Sequence, residues 1–136
     1  MRAALADRSG VLIARGTRQT EPELGLPQAE ENLRALFEEV GSGVPRDEVG
    51  GVVISSAGPI DPDSGIYVHP PNLPGWHDMT MKTGLATSLN LQVTIGHDAT
   101  LGALAESRYG VGKGAQHLVY VTLSTGVGGG IIANGQ

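Results

Sequence analysis

The segment from Val119 to Ile132, VYVTLSTGVGGGII, holds the residues whose types and spacing best suit chemistry. Tyr120 and Thr122 alternate with Val119, Val121 and Leu123, the period of a strand covered on at least one face. Ser124 and Thr125 end that run, and Gly126, Gly128, Gly129 and Gly130 follow. Glycines let the backbone take positive φ and approach a bulky anion with successive N–H groups aimed at its oxygens. The Thr125 hydroxyl adds one more donor. The segment reads as a phosphate cradle between two strands. A tight β-hairpin with a glycine kink and no ligand carries the same signature, so other residues must decide.

Asp98 is the next candidate, placed between the strand-like LQVTI and an apolar-periodic helix. A carboxylate there can cap the helix by accepting a first-turn N–H. It can also take the proton of a substrate hydroxyl while a phosphoryl group arrives from a donor held at the glycine turn, because phosphoryl transfer needs chiefly positioning, a base and charge neutralisation. One residue can do both. Ligands of open α/β sheets gather at the C-terminal ends of strands, and three loops leave strands in that sense: 57–61, 96–98 and 124–130. They can share one cleft. Asn72 and Trp76 lie in HPPNLPGW, which suits either a polar-ligand loop or a rigid connector. Trp76 reads as connector, whereas Asn72 fits both readings. His69, His77, His97 and His117 show no two-histidine spacing on one helix face, which argues against a metal hydrolase. His97 stands out because it adjoins Asp98.

These residues need elements to position them. Arg2 to Asp7 and Val11 to Thr17 are short apolar runs joined by Arg8-Ser9-Gly10, the pattern of a β-hairpin. Pro27 to Val40 places Ala29, Leu33, Leu36, Phe37 and Val40 at helical spacing, with Glu30, Glu31, Glu38 and Glu39 on a solvated face. Gly51 to Ser55 reads as a buried strand that empties into turn-forming residues. A brief extended piece at 66–68, a short helix around 81–88, a strand at 92–95 and a helix at 99–109 complete the alternation. Such alternation predicts βαβ units and a partly parallel, mixed sheet flanked by helices.

With 136 residues the chain suits a single domain able to bury about two-thirds of its unfolded surface. It contains no cysteine, so neither disulfides nor thiolate metal sites exist. A net charge of −5 without a Lys/Arg cluster argues against nucleic acid as a partner of this segment. No apolar run reaches the ~20 residues that span a bilayer, and the first residues lack the apolar core of a signal peptide. The expectation is a cytoplasmic protein with no membrane association.

Three motifs in order resemble the ROK family of bacterial sugar kinases and sugar-responsive repressors: AGPIDPDSGIYVHPPNLPGW (Ala57 to Trp76), HDATLGALAESRYG and HLVYVTLSTGVGGGII. The resemblance covers essentially the whole chain. It implies an α/β, actin-like (ribonuclease H-like) ATPase lobe, with residues 1–136 as one truncated N-terminal lobe. It implies ATP and magnesium as cofactors, Asp98 as general base on the sugar 6-hydroxyl, and Thr125 and Gly126 near the nucleotide phosphates. Gly58, Asn72 and His97 would lie near the sugar. Where the family usually carries an acidic residue and an asparagine before the aspartate, this chain has Gly96 and His97. Imidazole brings a different geometry and a pH-dependent charge.

Family members begin with a strand and a turn of the type Asp-Ile-Gly-Gly-Thr-Lys, and Met1 stands where that motif ends. The missing strand is central in the family fold, so its loss leaves ladder groups to be re-paired or covered. The second lobe, with the family's zinc site, lies beyond Gln136. The expectations are therefore a glucose-type hexose kinase lobe with little activity on its own, the ligand lobe of a sugar-responsive repressor, or a non-catalytic remnant. A homodimer is the family's usual assembly.

Overall fold

The computed structural model describes residues 1–124 and 126–136. Strands β1 (Arg2–Ala6) and β2 (Leu12–Thr17) pair antiparallel. Their turn is built on Asp7, whose Oδ1 accepts from the Ser9 N–H at 2.8 Å, the Ser9 hydroxyl at 2.6 Å and the Val11 N–H at 3.0 Å. The Ser9 hydroxyl and then the Val11 N–H hold this carboxyl below its ordinary pKa. A 3₁₀ turn at Pro22–Leu24 runs directly into helix α1 (Gly25–Gly41). Pro27 is tolerated there because first-turn N–H groups have no intrahelical partner. Leu26, Ala29, Leu36 and Val40 form the buried stripe. Gly16 of β2 lets α1 approach, since a Cβ there would lie 3.0 Å from a Leu36 methyl.

Strand β3 (Val52–Ser56) runs parallel to β4 (Val93–His97), in register from Val52 opposite Val93 to Ser56 opposite His97. Between them the chain makes a long loop and helix α2 (Lys82–Leu89), which ends on Asn90 in the left-handed region at φ 52°. The loop is no loose connector. Tyr67 is fully buried, Leu73 and Trp76 are buried beside it, and the Tyr67 and Trp76 rings meet edge-to-face at 5.4 Å. The Trp76 indole N–H donates to the Pro22 carbonyl at 3.3 Å. Trp76 thus anchors the loop to the 3₁₀ turn that leads into α1, as the connector reading expects.

Helix α3 (Asp98–Tyr109) follows β4 without a break, and the antiparallel hairpin of β5 (Leu118–Leu123) and β6 (Val127–Ile132) packs on it. The expected helices and named strands are therefore present, each within about two residues of its predicted bounds, whereas the extended piece at 66–68 is reduced to an isolated bridge between Tyr67 and Ile60. Parallel and antiparallel pairings are both present, as expected, but among the described residues the strands are not joined into one sheet. The six strands make three two-stranded pieces, β1–β2, β3–β4 and β5–β6. Between β1 and β3 the free edges face an apolar slot and are not re-paired among the described residues. Among the described residues, no helix is long and apolar enough to cross a membrane.

One local expectation is corrected and another is made specific. Gly128, Gly129 and Gly130 lie in β6, none at left-handed φ. Their lack of side chain serves packing: a Cβ on Gly130 would stand 2.6 Å from that of Ala103, and one on Gly128 would stand 3.1 Å from that of Ala99. In β5, Tyr120 and Thr122 turn toward α3, while Val119, Val121 and Leu123 are exposed. Two-residue periodicity identifies two faces but does not say which one a helix covers.

Candidate functional site

The parallel pairing of β3 and β4 brings their C-terminal ends side by side, Ser56 opposite His97. Ser56 is fixed by the hydroxyl of Tyr67, which donates to Ser56 Oγ at 2.9 Å. Burial raises the Tyr67 pKa, so the phenol stays protonated and remains a donor. No sequence motif announces this pair, because the partners are 11 residues apart and meet only when the loop folds back on β3.

Past Ser56 the chain reaches Gly58, where a Cβ would fall 2.6 Å from His97 Cδ2 and 3.1 Å from the Ile60 nitrogen. Glycine is required there by close approach. His97 in turn lies beside Asp98, with Nε2 3.4 Å from Oδ1, and both side chains are accessible at 37% and 55% exposure. Gly58, His97 and Asp98 therefore form one contiguous surface.

Asp98 opens α3, but it is the first helical residue and not the cap. His97, at φ −65° and ψ 135°, occupies the cap position. The Asp98 carboxylate folds onto the helix end and accepts from the Ala99 N–H at 2.8 Å. Negative charge at a helix N-terminus interacts favourably with the aligned peptide dipoles. The capping expectation is corrected in position, while its electrostatic content stands.

The glycine turn approaches the same place through α3. Ala99 packs on Gly128, two residues beyond Gly126, so the helix that carries Asp98 also seats the β5–β6 hairpin. Gly126 is exposed with open space where a side chain would be, and its carbonyl accepts from the Ser124 N–H at 2.9 Å. Thr125 lies outside the described residues. Asn72 lies on an exposed turn next to buried Leu73. Asp61, in the loop leading from Gly58, is committed to its own turn: Oδ1 accepts from the Ser64 N–H at 2.7 Å and hydroxyl at 2.6 Å.

A strand pair whose adjacent ends carry glycine and histidine, then a carboxylate at a helix start beside a glycine hairpin, narrows the choice of family. The family model described as ROK family matches residues 2–136. The chain belongs to the ROK family. This ROK chain is 34% identical over 131 residues to a glucokinase of Thermotoga maritima, a match that covers 96% of the chain and 40% of the relative. It is also 34% identical over 84 residues to the xylose repressor of Bacillus subtilis, covering 62% of the chain and 21% of that protein. Among solved structures, a ROK family glucokinase from Streptomyces griseus in complex with glucose and AMPPNP superposes with a TM-score of 0.89 at 27% identity. That superposition covers 99% of this chain and 41% of that one. The ROK fold here is thus the actin-like ATPase type, and the chain spans about two-fifths of the length of its glucokinase relatives.

Proposed function

We propose that these residues are the lobe of an ATP-dependent, glucose-type hexose kinase that carries the general base. The observation that carries the reading is the meeting of Gly58, His97 and Asp98 at two adjacent strand ends, on the helix that also seats the glycine hairpin. In this reading Asp98 would accept the proton of the sugar 6-hydroxyl as that oxygen attacks the γ-phosphorus and the bond from the γ-phosphorus to the β,γ-bridging oxygen breaks, with ADP as leaving group. His97 and Asn72 bind sugar hydroxyls, and the Gly58 backbone lets the ring come close. Backbone groups around Thr125 and Gly126 hold phosphate oxygens.

The residues present suit a magnesium nucleotide: one accessible carboxylate and an open glycine turn match an ion held chiefly through phosphates and water. Magnesium ATP supplies the transferable phosphoryl group and neutralises its charge. This chemistry belongs to the cytoplasm, and a homodimer is the assembly that goes with it.

The test exchanges the matching 131-residue stretch of the Thermotoga maritima glucokinase for the corresponding residues of this chain and follows ATP-coupled glucose phosphorylation. Turnover by the folded chimera is expected. A folded chimera that binds glucose without turnover would move the reading to the second possibility, the ligand lobe of a sugar-responsive repressor. That alternative is favoured by the match to the xylose repressor.

A further inference from the structure

The loop from Ala57 to Trp76 carries Gly58 and Asn72, two of the residues assigned to the sugar. Among the described residues, one hydrogen bond joins this loop to β3: the Tyr67 hydroxyl donates to Ser56 Oγ at 2.9 Å. The backbone beside Tyr67 makes a second tie close by, since the Val68 N–H donates to the Pro59 carbonyl at 2.8 Å and Tyr67 forms a bridge with Ile60. Residues 56 and 59 are thus both held by the dipeptide Tyr67-Val68. Between them lie Ala57 and Gly58, and Gly58 is the residue that comes up against the His97 ring. Tyr67 is well placed to hold them. It is fully buried, with its ring edge-to-face on Trp76, its N–H on the Met79 carbonyl at 2.9 Å and its own carbonyl accepting from the Asp78 N–H at 2.9 Å.

Packing alone does not call for the hydroxyl. A phenylalanine would fill the same place in the core cluster without taking a polar group out of water, and exchanging a hydrogen bond to water for one to Ser56 adds little net stability. What the hydroxyl adds is direction, because it closes the loop onto the end of β3 at one register. We propose, on the basis of the proposed function, that Tyr67 is a positioning residue of the sugar site: through Ser56 on one side and Pro59 on the other it fixes the Gly58 backbone against His97, so that a sugar meets a preformed edge. Tyr67 is buried and touches no substrate. Asp98 stands on α3, outside the loop, so the proton transfer does not depend on this bond. A loop free to drift from the strand end would have to be ordered each time sugar binds, a cost that falls on ground-state binding and raises KM without lowering kcat.

The test has two arms. In the glucokinase chimera, Tyr67→Phe is expected to raise the glucose KM at least fivefold while kcat and the ATP KM stay within twofold of the parent. Ser56→Ala should do the same, and the double variant should be no worse than either single one, because each removes the same bond. A change that only lowers the amount of folded enzyme reduces kcat and leaves KM where it was. An unchanged glucose KM in folded Tyr67→Phe would therefore overturn the proposal, and so would additive effects of the two substitutions. In the 136-residue chain, amide exchange at Val68, whose N–H donates to Pro59, should quicken at least tenfold on Tyr67→Phe, while amides of α1 such as Leu36 keep their rates. Unchanged exchange at Val68 would overturn the proposal even if the chimera variants do not fold. A parent chimera that neither turns over nor binds glucose would overturn the functional reading instead, and exchange at Val68 would still decide whether Tyr67 holds the Gly58 segment.

Discussion

At the residue scale, the site turns on three neighbours that the sequence presents as separate motifs. Asp98 was legible because a carboxylate between a strand and a helix has few reasons to be there, and the structure adds its bond to the Ala99 N–H. His97 was legible only as its neighbour, whereas its contact with Gly58 depends on the parallel register, which no local pattern encodes. The two residues now explain each other, since the imidazole fills the space that a larger residue at position 58 would take. Replacing His97 by Asn shortens the side chain and offers a neutral amide donor and acceptor. On the proposed function, His97→Asn in the chimera should tighten glucose binding about 3- to 10-fold, the worth of one neutral hydrogen bond of ~0.5–1.5 kcal/mol. Titration calorimetry checks it, and unchanged binding by a folded variant would remove His97 from the sugar site.

At the element scale, helices and strands were readable from periodicity, but their partners were not. The glycines of β6 show why. As sequence they suit anion binding, yet Gly128 and Gly130 are consumed by the close seat of the hairpin on α3, leaving Gly126 in the turn. Gly130→Ala should lower stability by ~1–3 kcal/mol, the usual cost of overpacking, as measured by urea unfolding. A variant as stable as the parent would mean the hairpin does not rest on Ala99 and Ala103.

The contact between α1 and α2 makes a second case. Glu30, expected on a solvated face, has its Oε1 buried against Gly84, without a hydrogen-bond partner among the described residues, and a methyl at Gly84 would collide with the carboxylate. Burial raises its pKa. A carboxyl whose folded pKa lies above its unfolded value binds more protons in the folded state, so its effect on stability is fully favourable below the unfolded value near 4.5 and is lost as pH rises through the folded one. Glu30→Gln should therefore flatten the decline of stability from pH 4 toward pH 8 and be the more stable protein at the upper end. Urea midpoints across that range test it, and parallel curves for the two proteins would contradict the assignment.

At the scale of the whole molecule, the chain is a set of two-stranded pieces held by helices, and not a closed sheet. The core lies where α1, α2, β4 and the Tyr67–Trp76 loop converge. Beyond it, Val119, Val121, Leu123, Val127 and Ile131 are 60–79% exposed on one hairpin. The chain matches about two-fifths of the length of the Thermotoga maritima and Streptomyces griseus glucokinases, and on the proposed function it supplies the base, the sugar-side strand ends and one glycine turn. The most direct measurement is steady-state kinetics of the chimera with Asp98→Asn, alongside glucose titration of the same protein. General-base catalysis by Asp98 predicts a fall in kcat of about 10²- to 10⁴-fold with glucose affinity nearly unchanged. A folded Asp98→Asn chimera that turns over glucose at the parent rate would contradict the account.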